Sequence, residues 1–207
     1  MTSWVKSAGR IMVMGDSITL GWYSQLGGWR VGLASALTSA GIGYSYVGPL
    51  SDAYGAHRAV IATAASQQTS AVQTDCATYR PRVVIIGWGA NDVGGIADGG
   101  QGRTAAQAIM SLGDVIDWTT AGAPQAKVFV QTVVVPQTSA IASYWAARAT
   151  FSELNGLLPA LCTSRGATLI DIGAPTTSDG LHPDQTATGY PAMASTIYAA
   201  VAAALPG

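Results

Sequence analysis

Charged residues are scarce in this sequence. Of its 207 residues only 10% are Asp, Glu, Lys or Arg, and ten basic side chains stand against eleven acidic ones. A nucleic-acid binder needs a basic face that neutralises phosphates, and a polybasic membrane anchor needs clustered positive charge. Neither can be assembled from this composition. We therefore expect no nucleic-acid partner and no electrostatic membrane anchor.

The sequence also lacks long apolar runs and contains only two cysteines. Its longest apolar runs, such as 83–86 and 133–135, have the length of a strand and are too short to span a bilayer, so no membrane insertion is expected. Cys76 and Cys162 form no CxxC pair, and no His, Cys and Asp cluster has the spacing of metal ligands. We expect no metal and no cofactor.

A secretory signal pattern is missing from the N-terminus. Residues 1–6 contain no positive region followed by an apolar stretch of signal length, and the first apolar run, 11–14, ends at Gly15 and Asp16. Two localisations remain open: the protein stays in the cell, or the sequence is a mature form. The sparse charge and the polar positions rich in Ser, Thr and Gln favour the secreted form.

Strand-like and helix-like segments alternate along the chain, which predicts a single α/β domain over residues 1–207. The expected strands are 10–14, 44–47, 82–86, 127–135 and 168–172, and the expected helices are 29–40, 66–78, 104–121, 143–165 and 189–204. Pro159 is expected to kink or split its helix. The pattern predicts a three-layer α/β/α fold with a five-stranded, mainly parallel, flavodoxin-like sheet in the order 2-1-3-4-5.

Reactive side chains follow three of these strands, at the edge where such folds bind ligands. Ser17 follows the first strand, and a serine at a strand-to-helix turn can expose its hydroxyl. Asn91 follows the third strand and offers an amide donor for developing negative charge. After the fifth strand, His182 has Asp179 three residues earlier, and this carboxylate can fix the imidazole tautomer. Taken alone, each of these motifs could simply be part of an ordinary turn, but all three together predict one catalytic cleft.

The motifs around these residues resemble the GDSL, or SGNH, hydrolase superfamily. The stretches that carry the resemblance stand in the family's order: Gly15-Asp16-Ser17-Ile18-Thr19, Gly89-Ala90-Asn91-Asp92 and Asp179-Gly180-Leu181-His182-Pro183. Other stretches are most similar to the carbohydrate esterases that deacetylate xylan: Gly27-Gly28-Trp29-Arg30, Tyr79-Arg80-Pro81 and the region from His182-Pro183 to Gly189-Tyr190. The resemblance spans nearly the whole chain and implies the SGNH hydrolase fold.

This resemblance implies a serine esterase mechanism. Ser17 would be the nucleophile, His182 the general base and Asp179 the residue that orients the imidazole. Asp16 and Asp92 are expected to hold loops by hydrogen bonds. No metal or cofactor is implied.

The oxyanion hole would be formed by the Ser17 N–H, the Asn91 side chain and a third donor. In the family, a glycine of the second sequence block supplies that third donor, a backbone N–H, but the matching region here, 57–63, contains no glycine. Ala62 is the best positional match and Gly55 the alternative. A backbone N–H does not require glycine provided that φ is negative there.

Aromatic residues near the predicted site suit a carbohydrate substrate. Trp22, Tyr23 and Trp88 are expected to contact it, although Trp88 could instead fill the core at the end of its strand. His57 is expected in a loop. The expected partner is a small-molecule or polysaccharide ester with a short acyl group such as acetyl. Two alternatives remain: a lysophospholipase or thioesterase for longer acyl chains, and a catalytically inert carbohydrate-binding module.

The predicted strand order also places the cysteines. The helices before the third and fifth strands lie on one face of such a sheet, with another helix between them. Cys76 and Cys162 lie near the ends of those two helices. We therefore predict free thiols. Nothing in the sequence predicts the oligomeric state.

Overall fold

Strands and helices alternate through residues 9–22 and 27–205, the part of the chain that the computed structural model describes. The strands are β1 (Gly9–Gly15), β2 (Tyr44–Tyr46), β3 (Leu50–Asp52), β4 (Gly55–Ala59), β5 (Val83–Gly87), β6 (Lys127–Gln131) and β7 (Thr168–Ile170). The α-helices are α1 (Ser17–Leu20), α2 (Gly28–Ser39), α3 (Ala71–Tyr79), α4 (Ala90–Val93), α5 (Ala105–Gly122), α6 (Ala142–Ala146), α7 (Arg148–Arg165) and α8 (Tyr190–Val201). Short 3-10 helices cover Ala65–Gln67, Ile96–Asp98 and Ala202–Ala204.

The sheet is parallel apart from one hairpin. β1 pairs with β5 on one side, and β6 and β7 follow outward. On its other side β1 pairs with β2 and, nearer its carboxyl end, with β4. The predicted strands correspond to β1, β2, β5, β6 and β7, so their predicted order is confirmed.

The predicted count of five strands is wrong, because the described residues form seven. The additional pair is the antiparallel β3–β4 hairpin at the edge of the sheet. Sequence periodicity could not reveal it, because β3 is three exposed residues and such short edge strands show no apolar alternation. An ion pair holds the hairpin: the buried Arg30 side chain reaches the partly exposed Asp52, and its Nη2 lies 2.6 Å from Oδ2 of Asp52.

Two apolar layers flank the sheet and create the three-layer arrangement. Along β5, Val84 and Ile86 belong to one core cluster, whereas Val83 and Ile85 belong to the other. This alternation arises because successive side chains of a strand point to opposite faces. Helices α3, α5 and α7 cover the first face, and α2 and α8 cover the second. None of the helices in the described ranges is long and apolar enough to cross a bilayer.

The cysteines lie on the face that was predicted for them. Cys76 is on α3 and Cys162 on α7, and both helices pack against α5. Both thiols are free and buried in the same core cluster. The prediction of free thiols is confirmed.

Two predicted helices have different boundaries. The segment predicted as 66–78 is a 3-10 turn followed by α3. The segment predicted as 143–165 breaks at Ala147 into α6 and α7. Of the kink or split predicted at Pro159, the split is wrong, because α7 continues through the proline. Proline removes one backbone donor from the helix. Leu158 and Cys162, on either side of it, remain buried in the core, and this packing keeps the helix continuous.

Candidate active site

The carboxyl ends of β1 and β5 lie side by side and place two of the predicted residues together. Gly15 and Gly87 are paired at the ends of these strands. Ser17 begins α1 directly after β1, and Asn91 lies on α4 after β5. A Cβ on Gly15 would lie 2.0 Å from Oγ1 of Thr19, so only glycine lets α1 fold back this closely.

A chain of hydrogen bonds links Ser17, His182 and Asp179. Oγ of Ser17 lies 2.9 Å from Nε2 of His182, and Nδ1 of that ring lies 2.7 Å from Oδ2 of Asp179. Because a carboxylate can only accept, Nδ1 carries the ring proton. Nε2 therefore accepts from the Ser17 hydroxyl. This arrangement can withdraw a proton from the serine as it attacks an electrophile.

A tight turn holds the Asp179 carboxylate in position beside the His182 imidazole. Oδ1 of Asp179 accepts from the backbone N–H groups of Leu181 and His182, at 3.0 and 2.8 Å. Burial raises the pKa of Asp179, but these bonds and the His182 side chain outweigh it, so the pKa lies below the usual 3.8. The carboxylate is thus ionised beside the imidazole.

The Asn91 amide is held at both ends. Its Nδ2 donates to the carbonyl oxygen of Thr63 at 2.9 Å and lies 3.4 Å from Oδ2 of Asp16. Its Oδ1 accepts from the Tyr144 hydroxyl at 2.6 Å. Tyr144 was missed by sequence reasoning, because it belongs to no motif and lies 53 residues from Asn91.

Ala62 lies in the turn that follows β4. The Thr63 N–H donates to the Val60 carbonyl at 3.3 Å, and Ala62 has a φ of 60°. The negative φ that the sequence-based prediction required of Ala62 is therefore not observed. This turn position needs the left-handed conformation that favours glycine. Within residues 9–22 and 27–205, no acceptor takes up the Ala62 N–H. Gly55 lies on β4, paired with Asp52.

Asp16 and Asp92 are buried and tie loops together. Asp16 caps α1 by accepting from the Ile18 N–H at 3.0 Å. Asp92 accepts from the N–H groups of Ala65 and Ser66 at 2.7 and 2.9 Å, which holds the segment after Ala62 against α4. Burial, reinforced by the charge of Asp92, raises the pKa of Asp16 to about 7. Burial also raises the pKa of Asp92.

The raised pKa of Asp16 predicts a pH-dependent cost to stability. The folded protein keeps the Asp16 proton up to about pH 7, whereas the unfolded chain releases it near 3.8, so ionisation lowers stability as the pH rises between these values. Asp16→Asn keeps the capping oxygen and removes the titration. We expect the melting temperature of the variant, relative to wild type, to rise by roughly 10 °C from pH 4 to pH 7, because the shift corresponds to about 3 kcal/mol. Thermal melts of both proteins at matched pH measure this, and a constant difference would contradict it.

These residues surround a cleft of about 190 Å³. Its lining consists of Ser17, Trp22, Ile61, Ala62, Asn91, Asp98, Ile141, Tyr144, Leu181 and His182. Trp22 is 46% exposed at its rim. The cleft therefore brings together the predicted nucleophile, base, amide donor and one of the predicted aromatic contacts.

The predicted contact Trp88 does not line this cleft. Trp88 is 1% exposed and lies behind the site, where its Nε1 donates to Oγ1 of Thr63 at 3.1 Å, so the core position is correct and the substrate contact is wrong. Tyr23 lies outside the described residues. His57, expected in a loop, is buried on β4. No group of three or more His, Cys, Asp or Glu side chains in the described ranges is placed to hold a metal ion.

A sequence profile of the GDSL-like Lipase/Acylhydrolase family matches residues 13–191. The chain belongs to this family. This GDSL-like hydrolase is therefore a carboxylic ester hydrolase. Among curated proteins, no sequence matches it significantly.

Solved structures share the fold of this GDSL-like hydrolase. A carbohydrate esterase family 3 protein from Talaromyces cellulolyticus superposes with a TM-score of 0.76 at 21% identity, covering 94% of this chain and 97% of that one. Est24, a carbohydrate acetylesterase from Sinorhizobium meliloti, superposes with a TM-score of 0.73 at 20% sequence identity, and the match covers 94% of this chain and 99% of that one. The M. smegmatis aryl esterase superposes with a TM-score of 0.71 at 19% sequence identity, and the match covers 96% of this chain and 100% of that one. At these identities the matches establish the three-layer fold.

Proposed function

We propose that this GDSL-like hydrolase cleaves short-chain esters, and acetyl esters of carbohydrates in particular, through an acyl-enzyme on Ser17. The observation that carries the proposal is the hydrogen-bonded chain from Ser17 through His182 to Asp179, whose first two residues line a small cleft. Ser17 Oγ attacks the ester carbonyl while Nε2 of His182 takes its proton and passes it to the leaving alcohol. Asp179 stabilises the imidazolium. Water, activated by His182, then releases the acid.

The tetrahedral intermediate needs donors for its oxyanion. We assign the N–H groups of Ser17 and Ala62 and the Nδ2 of Asn91 to this role. Ala62 is preferred to Gly55, because Ala62 lines the cleft and its N–H has no acceptor in the described part of the chain, whereas Gly55 belongs to the hairpin. Loss of one such donor typically raises the barrier by about 3–4 kcal/mol.

Cleft size and rim chemistry support the substrate class. At about 190 Å³ the cleft is smaller than the ~300–1,000 Å³ pockets that hold drug-sized ligands, which favours an acetyl group. The exposed indole of Trp22 offers an apolar face for a sugar ring. Asp98, whose pKa is lowered by hydrogen bonds from Ser143, offers an ionised acceptor for sugar hydroxyls. Two solved proteins of this fold are themselves described as carbohydrate esterases.

The proposal predicts a preference for the shortest acyl chain. With p-nitrophenyl esters of two to twelve carbons, we expect kcat/KM to be highest for acetate and at least about 10-fold lower for octanoate, because a cleft of about 190 Å³ has little room for further methylenes. A second series of acetylated sugars, followed by acetate release, should be hydrolysed. Ser17→Ala, measured in parallel, assigns the activity to this site.

Other results of these assays would favour the alternative functions. A kcat/KM that rises with chain length would indicate a lysophospholipase or thioesterase, with the exposed Ile61 beside the cleft as the start of an apolar path. Hydrolysis of p-nitrophenyl acetate without release of acetate from any sugar would remove the carbohydrate assignment. Failure to turn over any small ester would indicate an inert carbohydrate-binding module.

A further inference from the structure

The orientation of the Asn91 amide is set by a carbonyl group. The Thr63 carbonyl oxygen can only accept, so the nitrogen of the amide must face it, at 2.9 Å. The oxygen of the amide then faces Tyr144, whose hydroxyl donates to it at 2.6 Å. Tyr144 and Asn91 are 3% and 6% exposed, so water cannot readily replace this bond. The hydroxyl therefore satisfies an acceptor that would otherwise be buried and unpaired.

One N–H of Asn91 remains available to a substrate. Of its two amide hydrogens, one is used in the short bond to Thr63, and the other faces Oδ2 of Asp16 at 3.4 Å, which is long for a hydrogen bond. Because Asn91 lines the cleft beside Ser17, an oxyanion formed there can compete for this second hydrogen. The donor is effective only while the amide plane is held in place.

We infer that Tyr144 is a positioning residue for ester hydrolysis: its hydroxyl fixes the Asn91 amide in the plane from which Nδ2 stabilises the oxyanion. The inference rests on the proposed function and adds a residue that the sequence motifs do not contain. Tyr144 acts through Asn91 rather than on the ester.

The contacts around Tyr144 place its hydroxyl beside Asn91. A Cβ on Gly94 would lie 2.4 Å from the Tyr144 ring, so the ring can reach Asn91 only because glycine occupies that position. Asp98 anchors α6 by accepting from the N–H and hydroxyl of Ser143 at 3.0 and 2.7 Å. The ring also packs against Phe151, with centroids 6.0 Å apart.

The hydroxyl keeps its proton over the range in which esterases are assayed. Burial, together with the nearby carboxylates of Asp16, Asp98 and Asp92, raises the pKa of Tyr144 to about 12. The group therefore donates to Asn91 at every pH at which a histidine base works.

A double-mutant cycle tests the inference. Tyr144→Phe removes only the hydroxyl, and we expect kcat on p-nitrophenyl acetate to fall by about 10-fold with KM changed by less than about 3-fold. Asn91→Ala should lower kcat by about 100- to 1,000-fold. In the Asn91→Ala background, Tyr144→Phe should cost less than about 2-fold, because the group that it positions is gone.

Matched variants separate positioning from general destabilisation. Tyr46→Phe also removes a largely buried hydroxyl, which donates to the Arg30 carbonyl at 2.8 Å away from the cleft, and it should leave kcat unchanged. Gly94→Ala displaces the Tyr144 ring and should reproduce the kcat loss, again without further effect in the Asn91→Ala background. Thermal melts should show each protein folded at the assay temperature.

Several results would overturn the inference. One is wild-type kcat in folded Tyr144→Phe, and another is an equal loss with and without Asn91, which would mean that the hydroxyl acts on another group. Both differ from failure of the proposed function, which would appear as retained activity in Ser17→Ala.

Discussion

Ser17→Ala is expected to lower kcat on p-nitrophenyl acetate by at least about 10⁴-fold. Removal of the hydroxyl leaves His182 with no proton to withdraw and leaves no atom to form the acyl-enzyme. Any residual rate would come from the oxyanion donors and from substrate binding. Fold and stability should be retained, because the Ser17 hydroxyl makes one hydrogen bond at the surface of a cleft and alanine is the best helix former for the first turn of α1.

A second serine provides the control. Ser195 lies on α8 outside the cleft, and its hydroxyl donates to the Pro191 carbonyl at 3.1 Å. Ser195→Ala should keep wild-type kcat. If folded Ser17→Ala retained more than about a hundredth of the wild-type rate, the nucleophile would have to be sought elsewhere.

Asp179→Asn is expected to lower kcat by about 10³- to 10⁴-fold while KM changes little. The asparagine oxygen can still accept from the backbone of Leu181 and His182, so the turn is kept. Its amino group, however, replaces the oxygen that accepts from Nδ1 of His182. The ring proton then moves to Nε2, which can no longer accept from Ser17, and the charge that stabilises the imidazolium is lost.

The measurement is steady-state kinetics with a thermal melt for each protein. Asp171→Asn is a suitable control, because Asp171 likewise accepts from a backbone N–H two residues on, that of Gly173 at 2.9 Å, but is exposed to solvent and does not line the cleft. Retention of more than a tenth of the wild-type kcat by Asp179→Asn would show that the carboxylate does not assist His182.

Local patterns were sufficient for much of this molecule. The apolar runs that became β1 and β5 are continuous and bounded by turn residues, and parallel strands with helical crossovers have few possible arrangements. Asp179 and His182 are three residues apart, so their contact depends on one turn. Ser17 and Asn91 each follow a strand end by a few residues, and adjacent strands bring such positions together.

Other features depended on contacts between distant segments. The strand β3 of the β3–β4 hairpin is three exposed residues, so it has no apolar alternation to detect, and the hairpin is held by Arg30 from another part of the chain. Trp88 could have faced either the cleft or the core, and its burial was decided by the segment that carries Thr63. The break at Ala147, rather than at Pro159, depended on packing along α7.

The amino-acid sequence by itself determined the layered α/β fold, the order of its principal strands and the residue types available for ester chemistry, because local periodicity marks the strands and helices and the rules for helical crossovers leave few ways to arrange them. Only the tertiary structure decided which backbone groups and neighbours complete the site: the left-handed turn at Ala62, the carbonyl of Thr63 and the hydroxyl of Tyr144. These come from segments far apart in sequence, and their positions depend on how the loops pack, which no local pattern encodes.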